Sequence, residues 1–407
     1  MMKHKLVAIN YDIQSQILFN KKIKYKDNPT IDYQPLLMNP SFVNKIAQNI
    51  AHHFKNNGVN TIAALANPRG IIFGSIVAHI LKLPLIGIGL SGKMPGNMLS
   101  TDTESTNHEA QYLQVATNLL AKGQKFGIIN DISSSGKYLY DTCRLLHREN
   151  YRSINAVSSV FLNEKTYKSR EYYHDLEKVN FQSLFNVSDS GIFSNIDFTI
   201  KDITPEYSNR TYTEQEIKNK IIIFKNRIKN NILWTDPSLM IADPEMRNFC
   251  CNQLFEHNNQ PDKVLGIGVR GYYYSSIISW MLNKPHILAE NSKYISLPHL
   301  AVPYNMEYDM TQMGIRHGVI NPNEQIDIID DLRATAGTLD AASQAVYNLG
   351  GNVNNLAVIF TLKDIYENPN IGRKLSPNLD KKCFHLFEYT SEELQARNAE
   401  TESAFTD

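Results

Sequence analysis

Two adjacent carboxylates follow an apolar run in the stretch IIDDLRATAGTLDAA, which extends from Ile328 to Ala342. Asp330 and Asp331 repel each other, and an ordinary turn requires a single Asp or Asn rather than a pair. Ionised carboxylates only accept hydrogen bonds, so two of them suit a ligand that offers two donors. A diol such as that of ribose has this chemistry.

A turn of small residues follows the acid pair and leads into a helical pattern. Small side chains allow successive backbone N–H groups to point into one concavity, and the start of the helix adds its positive end. Two threonine hydroxyls complete a set of donors that suits a phosphate monoester. Phosphate beside diol describes a ribose 5-phosphate, although a plain strand-to-helix turn with a capping Thr remains the alternative. The turn residues are Ala334, Thr335, Ala336, Gly337 and Thr338.

The elements around this turn alternate between strand and helix. The apolar runs VLGIGV, QIDII and LAVIFTL predict strands, and YYYSSIISWML predicts a helix after the first of them. A second helix follows the turn and ends at Gly350-Gly351. This order predicts an α/β fold with a mostly parallel sheet flanked by helices. Ligands of such sheets bind at the carboxyl ends of the strands, where Asp330 and Asp331 lie.

Similar stretches recur along the chain and predict a duplication. Two copies of about 200 residues agree with ordinary domain sizes. We therefore expect two tandem domains, residues 1–200 (the first copy) and 201–407 (the second copy), joined within Ser188 to Asn209. The spacings of the matched positions are 204, 201 and 200 residues, for Asp32 with Asp236, Arg69 with Arg270 and Asp131 with Asp331.

The composition limits the classes of partner. Lys plus Arg equals Asp plus Glu at 41 each, so no broad charge attracts nucleic acid or an anionic membrane. The most apolar region, residues 61–90, is interrupted by charged residues and prolines and is too broken for a membrane span. The four cysteines form no CxxC pair, which favours free thiols and a cytoplasmic location.

Four further motifs accompany the acid pair in the second copy. IIDDLRATAGT resembles the phosphoribosyl diphosphate (PRPP) motif of type I phosphoribosyltransferases, and its Ala-Thr-x-Gly-Thr form is most similar to the adenine phosphoribosyltransferases. The resemblance continues in the segments WTDPSLMIADP, GIGVRGYYY, PYNMEYD and IGRKL, in the family's order.

The resemblance implies a role for each matching residue. Glu307 of the Glu-Tyr pair would be the catalytic acid or base, on a loop that closes over the site. Mg²⁺ would be the cofactor, held mainly by PRPP oxygens and water, so no protein metal ligand is expected. Base-binding residues would be Leu233, Trp234, Thr235 and Leu332. PRPP-binding residues would be Asp330, Asp331, Ala334, Thr335, Ala336, Gly337, Thr338, Arg270 and Lys93, the last from the first copy.

The two copies depart from the family pattern differently. The first copy has Asn130 in place of one acid, and Lys137-Tyr138 where the family has Gly-Thr. The second copy has Glu290-Asn291 where the family has Arg-Lys. We therefore expect the second copy to be active and the first to be degenerate. The chain would form an intramolecular pseudo-dimer in which Lys93 reaches the second site.

The implied reaction converts adenine and PRPP to AMP and diphosphate. Two alternatives remain open at this stage. One is the same reaction with a 6-oxopurine, since backbone groups contribute heavily to base recognition. The other is a degenerate phosphoribosyltransferase fold that binds nucleotide or PRPP as a regulator without turnover.

Overall fold

The structure is a computed structural model that describes most of the 407 residues. Contacts within the chain divide it into two compact units. The N unit comprises Asn44–Arg210 and Pro237–Asn248, and the C unit comprises Met1–Val43, Thr211–Asp236 and Phe249–Asp407. The described residues are 18–25, 28–32, 34–65, 68–90, 98–104, 110–133, 136–147, 153–163, 175–176, 178–188, 191–224, 234–257, 260–295, 297–305, 310–368, 374–394 and 396.

Strands and helices alternate over much of the described chain. The strands are β1 (Leu18–Tyr25), β2 (Asn28–Asp32), β3 (Thr61–Leu65), β4 (Leu85–Leu90), β5 (Met98–Glu104), β6 (Ala110–Ala116), β7 (Lys125–Ser133), β8 (Ser153–Asn163), β9 (Phe181–Ser188), β10 (Gly191–Ser194), β11 (Ile222–Phe224), β12 (Trp234–Asp236), β13 (Lys263–Ile267), β14 (His286–Asn291), β15 (His299–Asn305), β16 (Met310–Arg316), β17 (Gln325–Ile329), β18 (Leu332–Arg333), β19 (Asn352–Leu362) and β20 (Cys383–Tyr389). The helices are α1 (Gln34–Leu37), α2 (Pro40–Asn56), α3 (Pro68–Leu81), α4 (Lys137–His147), α5 (Glu214–Lys218), α6 (Ser238–Ala242), α7 (Pro244–Glu256), α8 (Gly268–Leu282), α9 (Gly337–Asn348), α10 (Lys363–Glu367) and α11 (Pro377–Asp380).

Each unit contains one large sheet of mostly parallel strands flanked by helices. The N-unit sheet has the order β10-β9-β8-β7-β3-β4-β6-β5. The C-unit sheet has the order β15-β16-β14-β13-β17-β19, and β18 and β20 both pair with β19. Starting from β9 and β20 respectively, the two sheets follow the same path. The predicted α/β fold with mostly parallel sheets is therefore confirmed.

The central strands are buried apolar runs, as expected for parallel strands covered by helices. Every residue of β3 and of β13 is buried. The predicted strand QIDII and the two predicted helices of the second copy are present as β17, α8 and α9. The strand predicted from VLGIGV ends earlier, because Gly268 adopts φ +50° and begins α8. Among the described residues, no helix has the length and apolarity needed to cross a membrane.

Both sheets have a β-bulge at matching positions of their central strands. The pairing of β7 with β8 shifts register between Phe126 and Gly127, and that of β17 with β19 shifts between Ile326 and Ile328. In the C unit the carboxylate of Asp327 holds the bulge, since it accepts hydrogen bonds from Asn354 Nδ2 (2.9 Å) and Asn355 N (3.1 Å). Bulges of this kind re-aim the following residues of a strand.

Each unit includes a short segment from the opposite half of the sequence. In the C unit, the buried Gln34 of α1 donates from Nε2 to His286 O (2.8 Å). Its Oε1 accepts from Leu288 N (3.3 Å). A side-chain amide thus pairs with the backbone of β14. The compact units and the predicted copies, residues 1–200 and 201–407, therefore have different boundaries.

The corresponding segment of the N unit is held by a buried arginine. Arg247 of α7 is 0% exposed and donates from its guanidinium to Ala78 O (3.2 Å), Leu83 O (3.0 Å) and Ile241 O (2.5 Å). Ala78 lies in the last turn of α3 and Leu83 just beyond it, where carbonyls lose their regular helical partners. Burial and the positive charge of Arg247 lower the pKa of His79 to about 3, so this neighbouring imidazole is neutral.

The substitution Arg247→Met tests the contribution of this segment to the N unit. The variant keeps most of the side-chain volume but removes the guanidinium donor from the carbonyls of Leu83 and Ile241, and one of two donors from that of Ala78. We expect the free energy of unfolding to fall by about 3 kcal/mol, measured by urea titration with circular dichroism. The control is Arg144→Met, at an exposed arginine of α4. A loss no larger than that of the control would contradict the role of Arg247.

Candidate active site

The acid pair lies at the carboxyl edge of the C-unit sheet, between β17 and β18. Asp330 N donates to Ala357 O (3.0 Å), and Asp331 O accepts from Ile359 N (3.1 Å) and Phe360 N (3.2 Å). These bonds attach the backbone of both acids to β19. The two carboxylates consequently occupy the edge at which the sequence predicted a ligand site.

Both acids are buried, at 7% exposure for Asp330 and 4% for Asp331. The Oδ1 of Asp330 accepts a hydrogen bond from Asp331 N (2.9 Å), and the carboxylate of Asp331 forms an ion pair with Arg270. Burial, followed by the negative charge of Asp331, raises the pKa of Asp330 well above its usual range. Without a ligand, this environment favours the protonated form of Asp330.

Helix α8 approaches the acid pair so closely that the residue after Arg270 has to be glycine. A Cβ atom on Gly271 would lie 2.9 Å from Ile329 O and 3.1 Å from the Cα of Asp330. These are backbone atoms and cannot move aside without displacing the strand. The Arg-Gly pair thus places the side chain of Arg270, which is 30% exposed, beside Asp331.

The turn after the acids has a strained backbone and ends in a helix N-terminus. Ala336 adopts φ +62°, a left-handed conformation that residues other than glycine rarely adopt, and precedes α9. The first amides of any helix have no partner within that helix. The hydroxyl of Thr338 lies 3.4 Å from Asp330 Oδ2, so the turn and the acid pair face one another. The arrangement can bind an anion beside a polyol.

Two buried tyrosines of α8 belong to the same region. Burial and the charge of Asp236 raise the pKa of Tyr273, and burial, with Asp331 among its charged neighbours, raises that of Tyr274. The pattern YYYSSIISWML predicts a helix and the segment GIGVRGYYY resembles the family, but neither gives these two tyrosines a role. Tyr273 and Tyr274 follow Arg270 by three and four positions, and residues at these spacings lie on the same face of a helix. That spacing is the signal in the sequence that could have placed the two tyrosines near the site.

Known proteins resemble this chain in sequence. A family model described as "Phosphoribosyl transferase domain" matches residues 32–189. The adenine phosphoribosyltransferase of Blochmanniella pennsylvanica is 32% identical over 151 residues, which is 37% of this chain and 82% of that protein. The chain belongs to the phosphoribosyltransferases, a family of enzymes.

Other phosphoribosyltransferases show similar coverage of the chain. The adenine phosphoribosyltransferase of Shewanella pealeana is 28% identical over 178 residues, which is 43% of this chain and 94% of that protein. The crystal structure of the adenine phosphoribosyltransferase of Rhodothermus marinus matches with a TM-score of 0.39 and 20% identity. That match covers 43% of this chain and 97% of the solved one.

The family model matches the first copy, and the turn of that copy has different side chains from the turn of the second. Asn130 donates from Nδ2 to a backbone carbonyl two residues further on (2.8 Å). Gly136 adopts φ +77°, where the second turn has Ala336 at φ +62°. Lys137 then forms an ion pair with the buried Asp141 (3.1 Å). A left-handed residue thus precedes the helix in both copies, but in the first copy the start of the helix carries an ion pair of its own.

Four more of the predicted site residues have described positions, and three of them belong to the stretch between the acid pair and α9. Ala334 is buried at 8% exposure, and Thr335 and Leu332 are half-buried. Thr235, predicted to read the base, is 2% exposed and lies in β12, which pairs with β11.

Other predicted residues fall where the structure gives no side chain. The backbone of Trp234 lies in β12, but its side chain is outside the described part of the structure. Leu233, Lys93 and Glu307 also lie outside the described residues. Their roles in a phosphoribosyltransferase site stay predictions.

The donor set around the turn fits a metal that arrives with the substrate. In the part of the chain that the structure describes, no group of three or more His, Cys, Asp or Glu residues could hold a metal ion. Mg²⁺ commonly uses one or two carboxylates together with substrate phosphates. The oxygen-only pair of Asp330 and Asp331 agrees with that use.

The substitution Asp330→Asn tests the electrostatic cost of the acid pair. A raised pKa in the folded state means that stability is present below about pH 4 and is lost as the pH rises through the folded pKa. Asparagine keeps the acceptor for Asp331 N but cannot ionise. We expect the ligand-free variant to gain on the order of 1 kcal/mol at pH 7 and nothing at pH 4, measured by thermal unfolding across pH.

The mirror substitution Asp331→Asn is the control for this prediction. It also removes one of two adjacent charges, but it takes the ion-pair partner from Arg270 and should not stabilise the protein. Equal effects of Asp330→Asn at pH 4 and pH 7 would contradict the prediction.

Proposed function

We propose that the chain transfers a phosphoribosyl group from PRPP to a purine base in the C unit, with adenine as the favoured base. The products would be AMP and diphosphate. The observation that carries the proposal is the buried pair of Asp330 and Asp331, which faces the turn that leads into α9. The relatives support the choice of base, since those compared above are adenine phosphoribosyltransferases.

The turn and the acid pair would hold the two ends of the ribose 5-phosphate. The amides at the start of α9 and the hydroxyls of Thr335 and Thr338 would donate to the phosphate. Asp330 and Asp331 would accept from the ribose hydroxyls. Since Asp330 favours protonation when no ligand is bound, the donors of the sugar would compensate its ionised form.

Arg270 would approach the diphosphate, which leaves as negative charge develops on it. Its side chain is 30% exposed, but Nε and the terminal nitrogen beside Asp331 are buried, so the diphosphate would meet the other terminal nitrogen. Mg²⁺, bound mainly to PRPP oxygens and water, would supply further neutralisation of the leaving group. The bond from ribose C1 to diphosphate breaks through an oxocarbenium-like state, so stabilising the departing charge lowers the barrier.

The base would bind between the turn and the β12 segment. Leu332 would cover one face and Trp234 the other, and backbone groups of Leu233 and Thr235 would read its edge. Glu307 would act as acid or base at an imidazole nitrogen of the purine. Its loop would close over the site and exclude water, which would otherwise hydrolyse PRPP.

We also propose that the chain arose by duplication of one phosphoribosyltransferase domain. The nearly constant sequence offset, the common strand order, the paired bulges and the left-handed residues Gly136 and Ala336 all support it. The first copy would be inactive, because Lys137 and Asp141 neutralise each other at the helix start that would bind phosphate. The pseudo-dimer, the contribution of Lys93 and the cytoplasmic location stay predictions.

A diphosphate-release assay with PRPP, Mg²⁺ and individual purines tests the reaction. We expect turnover with adenine and far less with hypoxanthine, guanine or xanthine. Turnover only with a 6-oxopurine would correct the base. No turnover with any base, together with measurable PRPP or nucleotide binding, would instead favour a regulator built on the same fold.

A matched pair of variants tests which copy is active. Asp331→Asn should lower kcat/KM by about a hundredfold or more, since it removes a charge from the buried site. Asp131→Asn changes the equivalent position of the first copy and should leave kcat/KM within about threefold. The assignment to the C unit is wrong if Asp131→Asn has the larger effect.

The substitution Glu307→Gln tests the acid or base role. Glutamine keeps the shape of the side chain but cannot exchange a proton, so kcat should fall by about 10² or more while PRPP binding persists. The exposed Glu392→Gln is the control. Unchanged kcat in Glu307→Gln would transfer the role to another group.

A further inference from the structure

A buried arginine lies within the proposed phosphate turn, between the acid pair and the small residues. Arg333 is 5% exposed, and each of its guanidinium nitrogens meets a partner. Its Nε donates to Thr361 Oγ1 (3.0 Å) and one terminal nitrogen donates to Asp380 Oδ1 (2.9 Å). The other terminal nitrogen lies 3.4 Å from His385 Nδ1.

The guanidinium of Arg333 also has a contact on its flat face, in addition to the hydrogen bonds along its edge. Its central carbon lies 4.1 Å from the ring centre of Tyr366, within the range of a cation–π contact. The hydroxyl of Tyr366 donates to the same Asp380 oxygen (2.6 Å). Burial and the charge of Arg333 lower the pKa of His385, so the imidazole stays neutral and can accept from the guanidinium. One side chain thus connects β18 with β19, β20, α10 and α11.

The turn next to Arg333 needs such an attachment. The strand β18 has two residues, and three more residues lead to α9. Ala336 holds a left-handed conformation that residues other than glycine rarely adopt, and such conformations persist only when the surroundings enforce them. The helix α9 fixes the turn on one side, and Arg333 fixes it on the other.

We propose that Arg333 is a positioning residue that holds the turn in its phosphate-binding conformation. The inference rests on the proposed phosphoribosyl transfer and adds a residue that contacts neither phosphate nor ribose. The first copy has Ser133 at the equivalent position, which accepts hydrogen bonds from Asn130 Nδ2 (3.3 Å) and Ser159 Oγ (3.0 Å). The copy that is proposed to be inactive therefore has a serine hydroxyl in place of the guanidinium.

The surroundings of Arg333 allow its removal without collapse of the fold. The cluster borders a cavity of about 490 Å³ lined by polar and apolar side chains, among them Lys363, Glu388 and Leu375. Asp380 is 46% exposed, so water can solvate its carboxylate when the guanidinium is absent. This differs from a sealed core, where an unpaired carboxylate would carry its full desolvation cost.

The test is Arg333→Met, which keeps most of the volume of the side chain but removes its fork of donors. We expect the KM for PRPP to rise about tenfold, with kcat and the KM for adenine within about threefold of wild type. The Kd for ribose 5-phosphate, measured by calorimetry, should rise by the same factor. Arg333→Lys should restore little, because an ammonium cannot reproduce the planar contacts.

Two controls separate this role from general loss of structure. Lys363→Met removes a cation from the same cavity wall, where its ion pair with Glu388 is partly exposed, and should leave every parameter unchanged. Tyr366→Phe keeps the ring against Arg333 and should weaken PRPP binding less than Arg333→Met. A rise in both KM values together with a fall in kcat would indicate disruption of the whole site and overturn the inference.

The outcome with wild type distinguishes the two proposals. If wild type binds ribose 5-phosphate and Arg333→Met binds it equally well, the positioning role is wrong and the proposed reaction stands. If wild type binds neither PRPP nor ribose 5-phosphate, the proposed reaction falls and the role of Arg333 falls with it.

Discussion

Two carboxylates held side by side away from water impose the strongest constraint on the C unit. Their repulsion is tolerated because the backbone of both acids is attached to β19 and because Arg270 neutralises Asp331. Arg270 can do so only if α8 begins against the end of β17, and that approach leaves no space for a side chain at position 271. The interruption between β17 and β18 places the two acids, and the glycine allows α8 to reach them. The site therefore costs stability until a ligand meets the acids.

The order of elements was predictable from the sequence, and much of the site was not. Apolar runs and helical spacing predicted the strands and helices of the second copy, since a buried parallel sheet has a strong pattern. The acid pair and the turn were visible because like charges and small residues are unusual together. The partners of Arg333 were not visible, since Thr361, Asp380 and His385 are 28, 47 and 52 residues away. Only the packing of β19 and β20 brings them together.

The boundaries of the two units were also beyond the sequence. A repeat indicates where similar segments begin, but it does not indicate which body each segment packs into. Gln34 pairs with β14, and Arg247 with the end of α3, through single side chains at long sequence separation. A single buried Gln or Arg leaves no periodic pattern in the sequence, so no local pattern predicts these contacts. Their energetic weight is large because each satisfies backbone groups that would otherwise be buried without partners.

The two helix starts show how charge can change while a left-handed residue is kept just before the helix. Gly136 and Ala336 both adopt left-handed φ values, and helices follow both turns. The side chains around them differ, with Asn130, Lys137 and Asp141 in one turn and a pair of acids in the other. A family model matches the sequence features of the fold that both copies share, whereas ligand binding depends on the few side chains in which they differ. This explains how the family match can fall on the copy with the altered turn.

The segments that complete each unit also affect how the protein is made. Ala78 and Arg247 are 169 residues apart, and Gln34 and His286 are 252 apart. At roughly 5–20 residues per second, a ribosome needs on the order of ten seconds or more to supply the second member of either pair. The end of α3 and the segment around Gln34 therefore emerge long before their partners exist. The N unit therefore cannot be finished when the first half of the sequence has been translated, because its last segment follows later. The segment around Gln34 has to remain unaggregated until the rest of the C unit is made.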